Sequence, residues 1–117
     1  MEINRIVKLV GSFFETIIIA KEEVEKIMKK IAQKKSKKSI KNEIMHLIDY
    51  LENAFCTLDE LNEILKSQKV ENIKITINKA ILNCYSILFD ELESRDVLHK
   101  LSEIHTLIDS ARETFQS

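Results

Sequence analysis

The chain contains no proline and only one glycine, Gly11, among its 117 residues. Proline and glycine interrupt helices and form turns more than other residues do, and together they make up about 12% of an average protein. Their near absence predicts long helices joined by very short connections. A single glycine also excludes a glycine-rich phosphate-binding loop, and neither G-x-x-x-x-G-K-[ST] nor G-x-G-x-x-G occurs in the sequence.

Cysteine and net charge are scarce as well. Two cysteines, Cys56 and Cys84, are too few for a disulfide scaffold and match no zinc motif, so we predict reduced, structural thiols. Because 18 basic and 19 acidic side chains leave a net charge of −1, no overall field attracts nucleic acid or an anionic membrane. No apolar run approaches the ~20 residues of a membrane span, and the first residues lack the order of a signal peptide. We therefore expect a soluble, cytoplasmic protein with no membrane partner.

Apolar residues at three- and four-residue steps are abundant. The first tract has a complete heptad series, broadened by further apolar residues into the wider face of a globular bundle. Its members are Ile3, Ile6, Val7, Val10, Phe13, Phe14, Ile17, Ala20, Val24, Ile27, Met28 and Ile31. Similar patterns cover Ile40 to Leu65, about Val70 to Leu92, and the residues after Ser94. We predict an all-α antiparallel four-helix bundle with long helices and short loops, formed by residues 1–117 as a single domain.

The helix boundaries are predicted from capping residues and loop composition. Ser39 and Ser94 are the predicted N-caps, and the loops are predicted at residues 34–38, at residues 67–69 and around Ser94. Thr57 begins a capping-box pattern that could restart a helix, but the heptad register passes through it unshifted, which favours one continuous helix. The segment from Ile73 to Ile77 alternates as a strand would. A lone strand would have no partner, so we favour a helix there as well.

Residue patterns typical of enzymes are weak in this chain. Glu43 and His46 have the Glu-x-x-His spacing of di-iron bundles, but no second such motif exists, and Ile44 and Leu47 hold the core positions, so we predict solvated side chains. Arg95 and His99 resemble the Arg-x4-6-His motif of HEPN-type helical ribonucleases, yet only three residues separate them and the motif is not matched. We predict no catalytic residue, cofactor or metal, and keep a helical ribonuclease or metalloenzyme only as a remote alternative.

One segment is strongly basic. Residues 29–41, called the lysine cluster below, contain seven lysines and no acidic residue: Lys29, Lys30, Lys34, Lys35, Lys37, Lys38 and Lys41. Clustered lysines can neutralise phosphates in a salt-dependent way. Because the segment lacks arginine for bidentate contacts and aromatic rings for stacking, we favour a solvated loop that caps a helix and keep a weak nucleic-acid contact as the alternative.

The third tract is apolar on two faces. Ile75, Leu82 and Phe89 are predicted to lie roughly 160° from the centre of its main apolar arc, and a helix that is apolar on two faces is buried on two faces. Either this helix is central in a skewed bundle, or its second face binds a partner. We favour the partner and predict an interface formed by Ile75, Leu82, Tyr85, Phe89 and Leu92.

The predicted function follows from that face. We expect a non-enzymatic protein-interaction module, such as an adaptor, chaperone, inhibitor or immunity-type protein, that binds another protein or itself as a homo-oligomer through the third helix. A small nucleic-acid-associated subunit using the lysine cluster is the alternative.

Overall fold

Four helices make up nearly all of the computed structural model, which describes residues 2–117. In chain order they are α1 (Glu2–Ala32), α2 (Lys37–Leu65), α3 (Gln68–Phe89) and α4 (Ser94–Gln116). The described residues include no strand, so the all-helical prediction is confirmed, and the alternating segment from Ile73 to Ile77 lies within α3. The helix α2 runs unbroken through Thr57, whose Oγ1 donates to the Asn53 carbonyl oxygen at 2.9 Å.

The helices form a four-helix bundle in which each helix packs against two others. The contacting pairs are α1 with α2, α2 with α3, α3 with α4, and α1 with α4. Side-chain contacts between α1 and α2 run in opposite chain order, since Arg5 pairs with Glu60 whereas Lys30 pairs with Glu43. The helices are therefore antiparallel, and the α1–α2 and α3–α4 connections lie at the same end of the bundle.

All four helices contribute to one apolar core, and no described polar side chain is buried in it. Fully burying an isoleucine or leucine side chain contributes roughly 1.5 to 3 kcal/mol, so the core is the main source of stability. The main apolar arc of α3 was predicted to comprise its buried residues and Leu88, which is only partly buried. The buried residues of α3 are Val70, Ile73, Ile77, Ala80, Ile81, Cys84 and Ile87. No helix within residues 2–117 has both the length and the apolar character that crossing a membrane requires.

The heptad prediction is wrong at the beginning of α1. Ile3 and Val7, predicted as core residues, are 73% and 64% exposed. The reason lies in the length of α4: Phe115, one residue before its end, stacks on Phe13 at 4.9 Å and contacts Phe14 edge to face. The turns of α1 before Phe13 extend past the end of α4, so part of their apolar stripe has no helix to cover it.

Helix ends differ from the predictions by one to three residues. Ser36, not Ser39, caps α2: Ser36 has extended backbone angles, and its side chain accepts a hydrogen bond from the Ser39 amide. At α4 the cap residue is Glu93 and Ser94 is already helical. After α1 and α2 the backbone adopts the left-handed conformation at two lysines, Lys34 and Lys66, with φ of 58° and 46°. Glycine more commonly occupies such positions.

The third helix ends earlier than predicted. It stops at Phe89, so Leu92 belongs to the connection before α4 and not to the helix face with which it was grouped.

Candidate protein interface

The side of α3 that faces away from the core carries four exposed, large apolar residues. Ile75, Leu82, Tyr85 and Phe89, called the outer face of α3 below, are 50%, 58%, 37% and 77% exposed. Because α3 contacts only α2 and α4, no helix of this chain covers that side. The alternative in which α3 is central is therefore wrong, and the second apolar face lies open.

Little charge interrupts this face. Among the exposed residues of α3 between Ile75 and Phe89, only Lys79 is charged, and the others include Asn78. Tyr85 and Phe89, one helical turn apart, stack with ring centroids 6.1 Å apart. The outer face of α3 is thus apolar and aromatic along its length.

The two borders of this face are occupied by contacts with the neighbouring helices. Towards α2, Lys74 Nζ lies 2.7 Å from Asp59 Oδ1 and above the Phe55 ring. Lys74 Nζ also lies 3.4 Å from Glu71 Oε2 on α3 itself. The hydrogen bond to Asp59 raises the pKa of Lys74. Towards α4, Asn83 Nδ2 donates to Glu103 Oε2 at 3.4 Å. These contacts fix α3 between its neighbours and leave its apolar centre free for another molecule.

The lysine cluster spans the end of α1, the connection and the start of α2. Within the described chain Lys30 pairs with Glu43, whereas the other six lysines form no ion pair. Lysine in the last turn of α1 favours the helix dipole, but Lys37 and Lys38 lie in the first turn of α2, where a cation opposes it. Helix capping therefore accounts for only part of the cluster.

The structure brings the lysine cluster next to the end of α3. A groove of about 800 Å³ lies at the end of the bundle where the α1–α2 and α3–α4 connections meet. Lysines of the cluster, acidic residues of the α3–α4 connection and apolar side chains line it together. The lining residues include Lys34, Lys35, Lys37 and Lys41, then Asp90, Glu91 and Glu93, and the apolar Ile31, Ile40, Phe89 and Leu92.

This groove joins the lysine cluster to the end of α3, which were predicted as separate features. An antiparallel bundle places both connections at one end, so the predicted topology could have indicated that Phe89 and Leu92 lie near the lysines. Leu92, predicted to belong to the interface, is half-buried in this groove. It does not lie on the outer face of α3.

A pair of carboxyl groups lies in the seam between α1 and α2. Glu43 is only 13% exposed, with Lys30 Nζ at 3.1 Å and Lys26 Nζ at 3.3 Å from its oxygens. The prediction of a solvated Glu43 is wrong, because the residue turns into the seam. Glu23 Oε1 and Glu43 Oε2 are both buried, and no other group donates a hydrogen bond to either of them. A proton on one carboxyl allows it to donate a hydrogen bond to the other, so the pair is stabilised by holding one proton.

The two carboxyls have opposite pKa shifts. Burial, together with its hydrogen bond to Glu43 and repulsion from that carboxylate, raises the pKa of Glu23 to about 7. The hydrogen bond from Glu23, followed by those from Lys30 and Lys26, lowers the pKa of Glu43 to about 2 despite its burial. Glu23 is therefore the proton donor of the pair at mildly acidic pH, and Glu43 the acceptor.

His46 completes a group of three side chains whose potential ligand atoms all lie within 4.8 Å of one another, the others being Glu23 and Glu43. His46 is exposed, as predicted. Because Lys26 and Lys30 already neutralise Glu43, a divalent cation here would face two ammonium groups at close range. The arrangement favours ion pairing over metal binding.

The remaining candidate residues are not assembled into a site. Arg95 is exposed, and His99 pairs with Glu103 on its own helix at 3.1 Å. Cys84 is fully buried, and this burial raises its pKa to about 12, which suits a structural thiol. Cys56, in contrast, is exposed. The prediction of a structural thiol is therefore wrong for Cys56.

Comparison with protein-family models, curated proteins and solved structures found no match. The surface chemistry of this chain is therefore the basis for proposing a function.

Proposed function

We propose that this protein is a non-enzymatic protein-interaction module that self-associates through the outer face of α3. The observation that carries the proposal is the exposure of Leu82, which is 58% exposed between Ile75 and Phe89 on a helix whose opposite side is buried. Soluble monomers tend to avoid large contiguous apolar patches. A module of this kind would act as an adaptor, chaperone, inhibitor or immunity-type protein.

The dimensions of the face suit such an interface. The 22 residues of α3 span about 33 Å, and the bundle is 20 to 22 Å across. The side of the bundle that carries α3 thus covers about 700 Å², which is close to the ~800 Å² that each partner buries in a standard interface. Because a helix with its side chains is only about 10 Å wide, flanking surfaces of α2 and α4 would contribute beside the outer face of α3. The apolar residues lie along its middle, where binding energy concentrates in typical interfaces.

The chemistry of the side chains also supports binding. Aromatic residues are enriched among the residues that dominate binding energy, because they bury a large area with few rotatable bonds. Tyr85 and Phe89 provide two aromatic rings already stacked on each other. In a two-fold dimer both copies would use this same patch.

Size-exclusion chromatography with light scattering tests the proposal on the unmodified protein over a range of concentrations. We expect a mass of at least twice the monomer mass of 13.6 kDa, decreasing on dilution. A monomer mass at every concentration would contradict self-association.

A second candidate is a weak contact with single-stranded nucleic acid at the groove between the two connections. The specific observation in its favour is Phe89, which lines the same groove as four lysines of the cluster and provides the aromatic ring that the cluster itself lacks. Asp90, Glu91 and Glu93, which line the same groove, repel phosphates, so the protein interface remains the favoured function.

A further inference from the structure

We infer that the partner of the outer face of α3 is a second copy of this chain in antiparallel orientation, related by a two-fold axis that passes through Leu82. In this arrangement the acidic α3–α4 connection of each copy lies beside the lysines at the α2–α3 connection of the other. The inference depends on the proposed function and specifies the geometry of the same surface.

The spacing of the outer face is symmetric about Leu82. Ile75 and Phe89 each lie seven residues from Leu82, so a perpendicular two-fold axis at Leu82 places Ile75 opposite the partner's Phe89. Leu82 meets the partner's Leu82, so these three apolar residues each face an apolar residue.

Apolar matching alone does not select this orientation, because a parallel pair would also place Ile75 on Ile75 and Phe89 on Phe89. Charge distinguishes the two. The beginning of α3 carries the exposed Lys66 and Lys69, together with Lys74 and the one acidic residue Glu71, and Lys69 Nζ also donates to the Ser117 carbonyl oxygen. Lysines therefore outnumber acids at the beginning of α3, whereas its end is followed by the exposed Asp90, Glu91 and Glu93. A parallel pair would place acids beside acids and lysines beside lysines.

The antiparallel pair places the opposite charges at each end of the interface together. Juxtaposed like charges weaken association, and opposite charges steer and orient it. The lysine cluster favours the same choice, because an antiparallel pair places the two clusters at opposite ends of the dimer and a parallel pair would place them at the same end.

Disulfide cross-linking of variants that carry one introduced, accessible cysteine tests the orientation. The background is the Cys56→Ser protein, in which the remaining Cys84 is fully buried. Leu82→Cys is expected to cross-link with itself under mild oxidation, because the two copies of residue 82 meet at the axis. Ile75→Cys alone is expected not to cross-link, because its two copies lie about 21 Å apart along the helices, whereas a disulfide needs Cα atoms within about 7 Å.

The decisive sample is an equimolar mixture of Ile75→Cys and Phe89→Cys proteins, which should form a mixed disulfide. Self-cross-linking by Ile75→Cys, with no mixed product, would show a parallel pair and overturn the inference while leaving the proposed function intact. Light scattering on the reduced background protein separates the two failures: a monomer at every concentration overturns both the inference and the proposed function.

Charge reversal provides a test that leaves the apolar face unchanged. Glu91→Lys with Glu93→Lys, and separately Lys66→Glu with Lys69→Glu, should each weaken self-association by about tenfold or more. An equimolar mixture of the two variants should recover the mass and affinity of the unmodified protein, because the opposite charges meet again. A mixture as weak as either variant alone would overturn the antiparallel orientation.

Discussion

The rings of Tyr85 and Phe89 stack on the outside of α3, with centroids 6.1 Å apart and planes 5° from parallel. Phe89 is 77% exposed, the largest exposure of any described large apolar side chain. Within one chain Phe89 therefore buries little apolar area. A partner that covered the two rings would bury the remaining area and so stabilise the complex.

Replacing Phe89 with alanine should weaken self-association far more than it lowers stability. We expect a loss of about tenfold or more in dimer affinity and a change of about 0.5 kcal/mol or less in the free energy of unfolding of the monomer. Analytical ultracentrifugation measures the first and urea denaturation at low protein concentration the second. Ile19→Ala is the matched control, since Ile19 is 43% exposed on α1. Equal affinity losses in the two variants would argue against the outer face of α3.

The carboxyl pair in the seam between α1 and α2 makes stability depend on pH. The folded pKa of Glu23 is about 7, above its ordinary value of 4.5, so folding takes up a proton between these values. The stabilisation from Glu23 is complete below pH 4.5 and is lost as pH rises through 7. Glu43, with a folded pKa of about 2, stabilises the fold above pH 4.5 and loses this effect as pH falls towards 2.

Glu23→Gln should remove the loss of stability between pH 5 and pH 8, because glutamine resembles the protonated carboxyl at every pH. Urea denaturation at the two pH values measures the free energy of unfolding of each protein. The exposed neighbour Glu22 provides the control, and Glu22→Gln should retain the pH dependence of the unmodified protein. If Glu23→Gln retains it too, Glu23 does not hold the proton.

The lysine cluster should bind single-stranded nucleic acid weakly at low salt and lose most of this binding at physiological salt. Converting Lys34, Lys35, Lys37 and Lys38 to glutamine should remove the binding, as measured by fluorescence anisotropy of a labelled oligonucleotide. Phe89→Ala should weaken it if the groove takes part through stacking. Binding that survives the glutamine substitutions unaltered would show that the cluster is not the site.

Gly11 offers a stabilising substitution. It lies inside α1, and a Cβ atom built on it would meet no other heavy atom within 4 Å. Gly11→Ala should therefore raise the free energy of unfolding by about 0.5 to 1 kcal/mol, as measured by chemical denaturation. A destabilised variant would indicate that another molecule approaches the backbone closely at this position.

Apolar periodicity was sufficient to predict the fold class, the continuous α2 and the buried arc of α3. It failed where a neighbouring helix ends, since Ile3 and Val7 have the right spacing but extend past Phe115 of α4. It also misplaced the cap of α2, because Ser36 and Ser39 are both acceptable caps and only the backbone angles distinguish them. Lengths of neighbouring helices and local backbone angles are not encoded in a heptad pattern.

The exposed positions of Ile75, Leu82 and Phe89 could be predicted because one helix determines them. The contact between Glu23 and Glu43 could not be predicted, because it depends on the orientation of α1 about its own axis relative to α2. That orientation brings residues 20 positions apart into contact. The groove that joins Phe89 to the lysine cluster likewise depends on all four helices. The face of its helix on which each of these residues lies was predicted from the sequence, whereas the seam and the groove, which form between helices, required the structure.

Light scattering of the Leu82→Glu protein tests the self-association account most directly. Leu82 is 58% exposed, so a charged side chain there should leave the monomer folded, with an unchanged circular dichroism spectrum and cooperative thermal unfolding, and should reduce the mass to 13.6 kDa. The melting temperature should fall only by the stabilisation that the dimer provides. Ile18→Glu, at a residue that is 45% exposed on α1, should retain the mass of the unmodified protein. A Leu82→Glu protein that remains folded and keeps the oligomeric mass would contradict an interface on the outer face of α3.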